Sequence, residues 1–458
     1  MNLMKLLYLT LILTCLCNSA SAQLLDRVGN QIDGVTRELE QVTDEVQEQV
    51  RRAAEDELSA QRLLDNPVTN PLTDVLTQTT DGITQTVNGV VGNTVAAVLP
   101  ILNRDGGTAF VEVRVEDNWR AVEHEWLMLL DQPGLKALAA VDAEIIEQTQ
   151  FADLGLQLVR FRVPAPLDSF AELKKHLPVH LHEQLDRNHI YSPQNDNPQT
   201  SINNPAAINP FCHQAINIGL IDTAINTRHL AFKQSRIETK DFAGEAFDAP
   251  RAHGTAVAGI LVGRGEQLMP LLPAANLFAA SVFYPRNEYA QGATMINLVR
   301  ALDWLLQKKV RVINMSLAGP DNKILALAIQ KTIQAGTSIV AAAGNEGPAS
   351  PPVYPAAYAD VIAMTAVDKN QRIYRWANRG DYIDFAALGV AVFTARSGGD
   401  YGNETGTSMA APVGTAAVAC LAAGNSSASI VEQLKARAID VGLPGRDPVF
   451  GDGLLNRP

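Results

Sequence analysis

A doubly covered α/β domain on a mostly parallel sheet, preceded by a small α+β segment and a helical N-terminal extension, is the fold class this sequence predicts. Three observations predict it. Beyond Pro210, short apolar runs alternate with amphipathic helical stretches. From about Thr108 to Gln194, strand-like and helix-like stretches follow the order βαββαβ. From Val28 to Val50, apolar residues recur in steps of four and three.

The chain has 458 residues, more than one ordinary domain, and 47% apolar with 19% charged residues is a globular balance. Its formal net charge is −12 and no segment clusters Lys and Arg, which argues against a nucleic-acid-binding surface. Lys5, the apolar run Leu6 to Leu16 and Ala20-Ser21-Ala22 read as a cleavable secretory signal over residues 1–22. A lipoprotein anchor at Cys15 or Cys17 is the rival reading, although neither follows the small residue such a site needs. The run is too short to span a bilayer, and no later stretch is long and apolar enough. A soluble product, periplasmic or extracellular, is expected. Removing the signal leaves Cys212 and Cys420, which an oxidising compartment permits to pair. Two buried free thiols are the alternative, because pairing depends on a Cα spacing that sequence does not supply.

Residues 23–106 read as a helical extension and linker. Val28, Ile32, Val35, Leu39, Val42, Val46 and Val50 form a coiled-coil-like seam about three heptads long, able to self-associate or to pack on its own chain. Pro67 and Pro71 interrupt it, and the Thr, Gly, Asn and Val of Leu72 to Leu102 suggest a marginal helix or linker. In residues 107–194, Glu125 to Leu130, Ala143 to Thr149, Gln157 to Val163 and the stretch near His189-Ile190-Tyr191 are strand-like. Gly134 to Ala140 and Ser169 to Leu177 are helical. That is the split, ferredoxin-like order, with two helices on one face of a small antiparallel sheet. Residues 195–210, rich in Asn, Pro, Gln and Ser, are an exposed linker. In residues 211–458, Ile216 to Ile221, Leu277 to Phe283, Val310 to Leu317 and Ser338 to Ala343 have the character of buried parallel strands. Thr294 to Gln307 presents Ile296, Val299, Leu302 and Leu306 on one helical face, and Asp321 to Ala335 stops at Gly336.

Reactive residues in such sheets gather beyond the carboxyl ends of the strands, and Asp222 lies there, directly after Asn217-Ile218-Gly219-Leu220-Ile221. A carboxylate so placed also serves as a turn or helix cap. Beyond the linker only His213, His229 and His253 remain, and only His253 opens a helix-like His-Gly-Thr-Ala-Val-Ala-Gly, whose Gly254 and Gly259 permit close backbone packing. Gly406-Thr407-Ser408-Met409-Ala410-Ala411-Pro412 opens a long small-residue helix, so Ser408 sits where free backbone N–H groups stabilise negative charge. Ser is also an ordinary helix cap. The combination of the three motifs is more specific than any one of them.

Together, IGLIDTAI around Asp222, HGTAVAG at His253, NMSLAG at Asn314 to Gly319, AAAGNEG around Asn345 and GTSMAAP at Ser408 resemble the subtilisin family of serine proteases. The likeness runs from about Ala215 to the end, and the chain order Asp, His, Ser is that of the family. It implies that Ser408 is the nucleophile, His253 the general base and acid, Asp222 the orienting carboxylate and Asn345 an oxyanion donor. It also implies that Ser316, Leu317, Ala318 and Gly319 pair with an extended polypeptide substrate. Ala318 stands where the family has glycine, and Val353 precedes Tyr354-Pro355-Ala356 near the pocket floor. Both add volume, so small or modest side chains are expected before the cleaved bond. Ala224 and Leu388 are milder departures that remove no reacting group.

The family commonly carries a propeptide that aids folding and occupies the active site with its C-terminal tail. The resemblance therefore assigns residues 107–194 as an intramolecular inhibitor and Tyr191 to Asn204 as the self-cleavage region. The stretch Ile260 to Leu272 lacks the Asn-rich loop that binds calcium in many relatives, and that site is expected to be absent. No metal or other cofactor is expected. His180 and His182 lack further ligands in a recognisable spacing and read as a solvated helix end. A Gly-x-Ser-x-Gly elbow is lacking, which argues against an α/β-hydrolase esterase. The remaining alternative is a catalytically silent secreted scaffold or binding protein, against which the complete triad and Asn345 speak.

Overall fold

The computed structural model describes residues 98–194, 210–287, 290–422 and 427–455. The expected signal over 1–22, the seam of 28–50 with its self-association, and most of linker 195–210 lie outside the described residues.

The C-terminal part is built on seven parallel strands. In chain order these are β7 (Asn217–Asp222), β8 (Arg236–Asp241), β9 (Asn276–Ser281), β12 (Val312–Met315), β14 (Ser338–Ala342), β15 (Ile362–Val367) and β16 (Phe385–Leu388). Their spatial order is β16-β15-β14-β12-β7-β9-β8. The central strands are mostly apolar and buried almost throughout because both faces are covered, and alternate residues feed two different cores. Ile218, Leu220, Val312, Val340, Ala342 and Met364 pack against helices α3 (Ala252–Val262) and α6 (Thr407–Leu421). Ile221, Ile313, Met315, Ile339, Ala341 and Ala363 face α4 (Met295–Gln307) and α5 (Lys323–Gln334).

The helices differ as their positions require. Every residue of α3 except Ala252, and every residue of α6 except Cys420, is buried, so neither helix has a polar stripe. In contrast α4 and α5 are amphipathic and keep one wet face. Asn322 caps α5, its Oδ1 accepting from the N–H groups of Ile324 and Leu325. Cys212 and Cys420 are disulfide-bonded, with Cα atoms 5.8 Å apart.

The N-terminal part begins with β1 (Val98–Leu102) and β2 (Thr108–Arg114), an antiparallel hairpin. Residues 98–102 are thus a strand rather than the helix or linker their composition suggests. The single buried Ile101 and the central Pro100 hide the alternation, and proline is tolerated because β1 is an edge strand. There follow β3 (Arg120–Leu129), α1 (Gln132–Ala140), β4 (Glu144–Phe151), β5 (Leu156–Arg162), α2 (Phe170–His176) and β6 (Leu185–Pro193). Alternation in β3 decides its two contacts: Trp126 and Met128 face the layer of α1 and α2, whereas Leu127 faces the core of α4 and α5.

One further sheet joins the two parts, in the order β1-β2-β3-β6-β11-β10, with β10 (Tyr284–Pro285) and β11 (Gln291–Thr294) from the C-terminal part. The short strand β13 (Leu317–Ala318) pairs with the end of β6. Glu112 fastens this junction: although buried, it accepts from Arg120 at 2.6 Å, Arg286 at 2.8 Å and the Tyr284 hydroxyl at 2.8 Å.

Candidate active site

Asp222 ends β7, His253 is the second residue of α3 and Ser408 the second of α6; all three are buried. Asp222 Oδ1 and Oδ2 lie 2.7 and 2.9 Å from His253 Nδ1. A carboxylate only accepts, so Nδ1 carries the proton and Nε2 presents a lone pair. That Nε2 is buried and has no hydrogen-bond partner among the described residues. The backbone N–H of Thr223 donates to Asp222 Oδ1 at 2.6 Å, and Gly254 N–H donates to Thr223 Oγ1 at 2.7 Å. A Cβ at Gly254 would overlap the Thr223 carbonyl oxygen, so glycine lets the start of α3 come this close to β7. The other histidines are accounted for: His213 is exposed, and His229 accepts from Ala231 N–H while its Nε2 meets the Asp400 carbonyl at 2.8 Å.

Ser408 is fixed through its backbone. Pro412 lies inside α6 and has no N–H, so the Ser408 carbonyl is freed from its usual helical bond. It accepts instead from Ser316 Oγ at 3.1 Å. Ser316 Oγ in turn accepts from Asn314 Nδ2 at 2.9 Å, and Thr415 Oγ1 donates to Asn314 Oδ1 at 3.0 Å. The sheet and α6 are thereby tied together beneath the hydroxyl.

What lies on that hydroxyl is the chain itself. Ser408 Oγ donates to the carbonyl oxygen of Gln194 at 2.6 Å, and Asn345 Nδ2 donates to the same oxygen at 3.3 Å. Asn345 is aimed by its other amide atom, since Oδ1 accepts from Thr407 N–H at 3.0 Å and Thr407 Oγ1 at 2.9 Å. Gly406 precedes them at φ +145°, and a Cβ there would sit 3.0 Å from Asn345 Nδ2 and 3.2 Å from Ser408 Oγ. The chain leading to Gln194 is held as a strand on both sides. Ala293 and Thr294 pair with Tyr191 and Ile190, Leu317 and Ala318 pair with Pro193 and Ser192, and Gln194 N–H donates to the Ser316 carbonyl at 3.2 Å.

The residues singled out from sequence gather around one cleft, although Ser408 Oγ donates to Gln194 rather than to His253 Nε2, and there are further differences of detail. Gly319 bridges Tyr354 rather than β6, and Val353, buried next to Tyr354, offers no polar group to Gln194. Glu346, Asn378, Thr407 and Gln194 itself were not read from sequence. Thr407 and Glu346 stand inside the quoted motifs, but only the fold reveals which way they point. Beside His253 and Ser408 opens a cleft of about 270 Å³, whose lining includes Arg396 and Glu404, a pair 2.9 Å apart. Burial pushes the Glu404 carboxyl up, against the pull of Arg396. Among the described residues no group of three or more His, Cys, Asp or Glu side chains could hold a metal ion, and no helix is long and apolar enough to cross a membrane. His180 instead meets Asp131 at 3.0 Å, and His182 the Leu177 carbonyl.

A parallel sheet with a carboxylate at the end of a central strand, and with His and Ser opening the two helices buried beneath it, defines the class of subtilisin-like serine proteases. A family model described as the Subtilase family matches residues 213–443, half of the chain, and the chain belongs to that family. Subtilisin DY of Bacillus licheniformis is 32% identical over 252 residues, covering 53% of this chain and 89% of that protein. The major intracellular serine protease of Bacillus subtilis (strain 168) is 32% identical over 219 residues, 45% of this chain and 68% of that one. The minor extracellular protease Epr of the same organism is 31% identical over 209 residues, 44% of this chain, which spans only 32% of its length. The crystal structure of fervidolysin from Fervidobacterium pennivorans, a keratinolytic enzyme related to subtilisin, superposes with a TM-score of 0.61 at 18% identity. It covers 75% of this chain and 61% of that one, a likeness of fold.

Proposed function

We propose that this chain is a secreted serine endopeptidase made as a self-processing precursor, in which Ser408, His253, Asp222 and Asn345 cleave the bond between Gln194 and Asn195. The observation that carries this reading is the Gln194 carbonyl, touched by both Ser408 Oγ and Asn345 Nδ2 at the end of a strand paired on two sides. His253 Nε2 takes the Ser408 proton as Oγ bonds to the Gln194 carbonyl carbon. The displaced electron pair settles on the carbonyl oxygen, where Asn345 Nδ2 stabilises it. Collapse breaks the carbon–nitrogen bond, His253 returns the proton to the Asn195 nitrogen, and water then releases the acyl group from Ser408. Asp222 stabilises the imidazolium formed between these steps.

Residues 98–194 then act as the inhibitory segment, and Ser316 to Ala318 as the edge to which substrates add. Two features support export: the run Leu6 to Leu16 ahead of Ala20-Ser21-Ala22, and the Cys212–Cys420 bond, which persists in oxidising compartments. The test is to express the chain beside Ser408→Ala and sequence the N-terminus of the main product. The parent should begin at Asn195 and label with a serine-directed fluorophosphonate, whereas Ser408→Ala should keep the bond after Gln194 intact and stay unlabelled. Identical behaviour of the two would defeat the proposal. Asn345→Ala should slow turnover by about 100- to 1000-fold, the loss known for an oxyanion donor in subtilisin.

A further inference from the structure

The side chain of Gln194 is held as specifically as its carbonyl. Its Oε1 accepts from Asn345 N–H at 2.9 Å, and its Nε2 donates to Glu346 Oε1 at 3.0 Å. Both ends of the amide are therefore matched: a donor faces the oxygen and an acceptor faces the nitrogen. Glu346 is itself anchored, its N–H donating to Asn378 Oδ1 at 2.8 Å. Asn378 is fully buried, and its Nδ2 lies at the same wall. That nitrogen and Glu346 Oε2 converge over Gly344, since a Cβ there would overlap the first and lie 2.6 Å from the second. The pocket thus has a polar wall, which the expectation of small side chains, drawn from the volumes of Ala318 and Val353, did not consider.

Other side chains meet this wall less well. Glutamate would set a second carboxylate against Glu346. Lysine would satisfy Glu346 but offers no acceptor to Asn345 N–H. Leucine or phenylalanine would return no hydrogen bond to the exposed Glu346 carboxylate or to the Asn345 N–H.

We infer that Glu346 and the Asn345 backbone N–H make this site select glutamine immediately before the cleaved bond, in other polypeptides as well as in its own chain. The inference rests on the endopeptidase reading above. It is tested with the full chain after self-processing, and with Ser408→Ala as background, on peptides spanning His189 to Pro198 with Gln, Glu, Lys or Leu at position 194. Expected is a kcat/KM for Gln about tenfold above Leu, the scale of one hydrogen bond to a half-exposed charged group, with Glu the poorest. Glu346→Ala should lower the Gln-to-Leu ratio several-fold, leaving what the Asn345 N–H contributes, and Glu346→Gln should relieve the exclusion of Glu. Cleavage of Leu or Lys peptides as fast as Gln, or a ratio unmoved by Glu346→Ala, overturns the selectivity. Absence of both fluorophosphonate labelling and cleavage of every peptide would instead sink the endopeptidase reading, and this inference with it.

Discussion

Thr407 touches no reacting atom, yet its hydroxyl and N–H together hold the oxygen of the Asn345 amide, so that the nitrogen faces the Gln194 carbonyl. The same hydroxyl accepts from Gly344 N–H at 3.2 Å. Thr407→Val keeps the shape and removes this grip. We expect kcat to fall about tenfold with KM nearly unchanged, and Thr407→Ser to restore it; equal loss in both variants would mean that only packing was damaged. At the junction of the two parts, two titrating groups oppose one another. Burial pushes His189 down to about 3, while burial pushes Asp186 up to about 6 against the pull of the Lys323 N–H. The imidazole sits neutral beside Asn322, so an unfolded chain takes up its proton first. Its contribution to stability is present above about pH 6.5 and is lost as pH falls toward 3. Asp186 has the opposite sign: its contribution is complete below about pH 4 and is lost as pH rises through 6. Between pH 7 and 5 each is worth about 1–2 kcal/mol and they nearly cancel. In the Ser408→Ala background, adding His189→Asn should raise stability relative to its parent by that amount on going from pH 7 to 5, as measured by urea unfolding. Glu346 shows the limit of reading residues from sequence. Its place in a motif is visible, but its contact with Gln194, distant in the chain, depends on β6 lying along the cleft.

At the scale of elements, legibility follows burial on two faces. Strands β7, β12 and β14 are short, predominantly apolar runs because helices cover both sides, and helices α4 and α5 reveal themselves by their single wet face. The β1–β2 hairpin carries no such mark: its core consists of Ile101 with neighbours supplied by Phe247 and Tyr284, far away in the chain. What holds it is charge as much as apolar area. Glu112→Ala would leave the guanidinium groups of Arg120 and Arg286 side by side without the carboxylate between them. Breaking a buried pair in this way costs about 3–5 kcal/mol. We therefore expect the Glu112→Ala, Ser408→Ala chain to melt well below Ser408→Ala alone. In the Ser408-intact chain the same change should hasten the appearance of peptidase activity after synthesis. An unchanged melting temperature would mean that the hairpin is not coupled to the rest.

For the whole molecule, the order Asp, His, Ser and the alternation of strand and helix were enough to suggest how distant segments assemble. The bond between Cys212 and Cys420 was not decidable, because it depends on the entrance of the α/β domain meeting the far end of α6. It spans 208 residues, and removing a native disulfide typically costs about 2–5 kcal/mol. A Cys212→Ser, Cys420→Ser pair in the Ser408→Ala background should lower the melting temperature by several degrees, and a reductant should do the same to the parent but not to the pair. The sheet shared through β6 has a consequence for how activity begins. If the proposed cut after Gln194 is made and the residues before it depart, β11 and β13 would be left as two facing rims with a vacated slot between them, their peptide groups satisfied only by water. Under the proposed self-processing, the departed segment would fit that slot best and would compete with every incoming polypeptide until it is itself degraded. Onset should therefore be sluggish at first and then accelerate, as each freed enzyme destroys the competitor restraining the others.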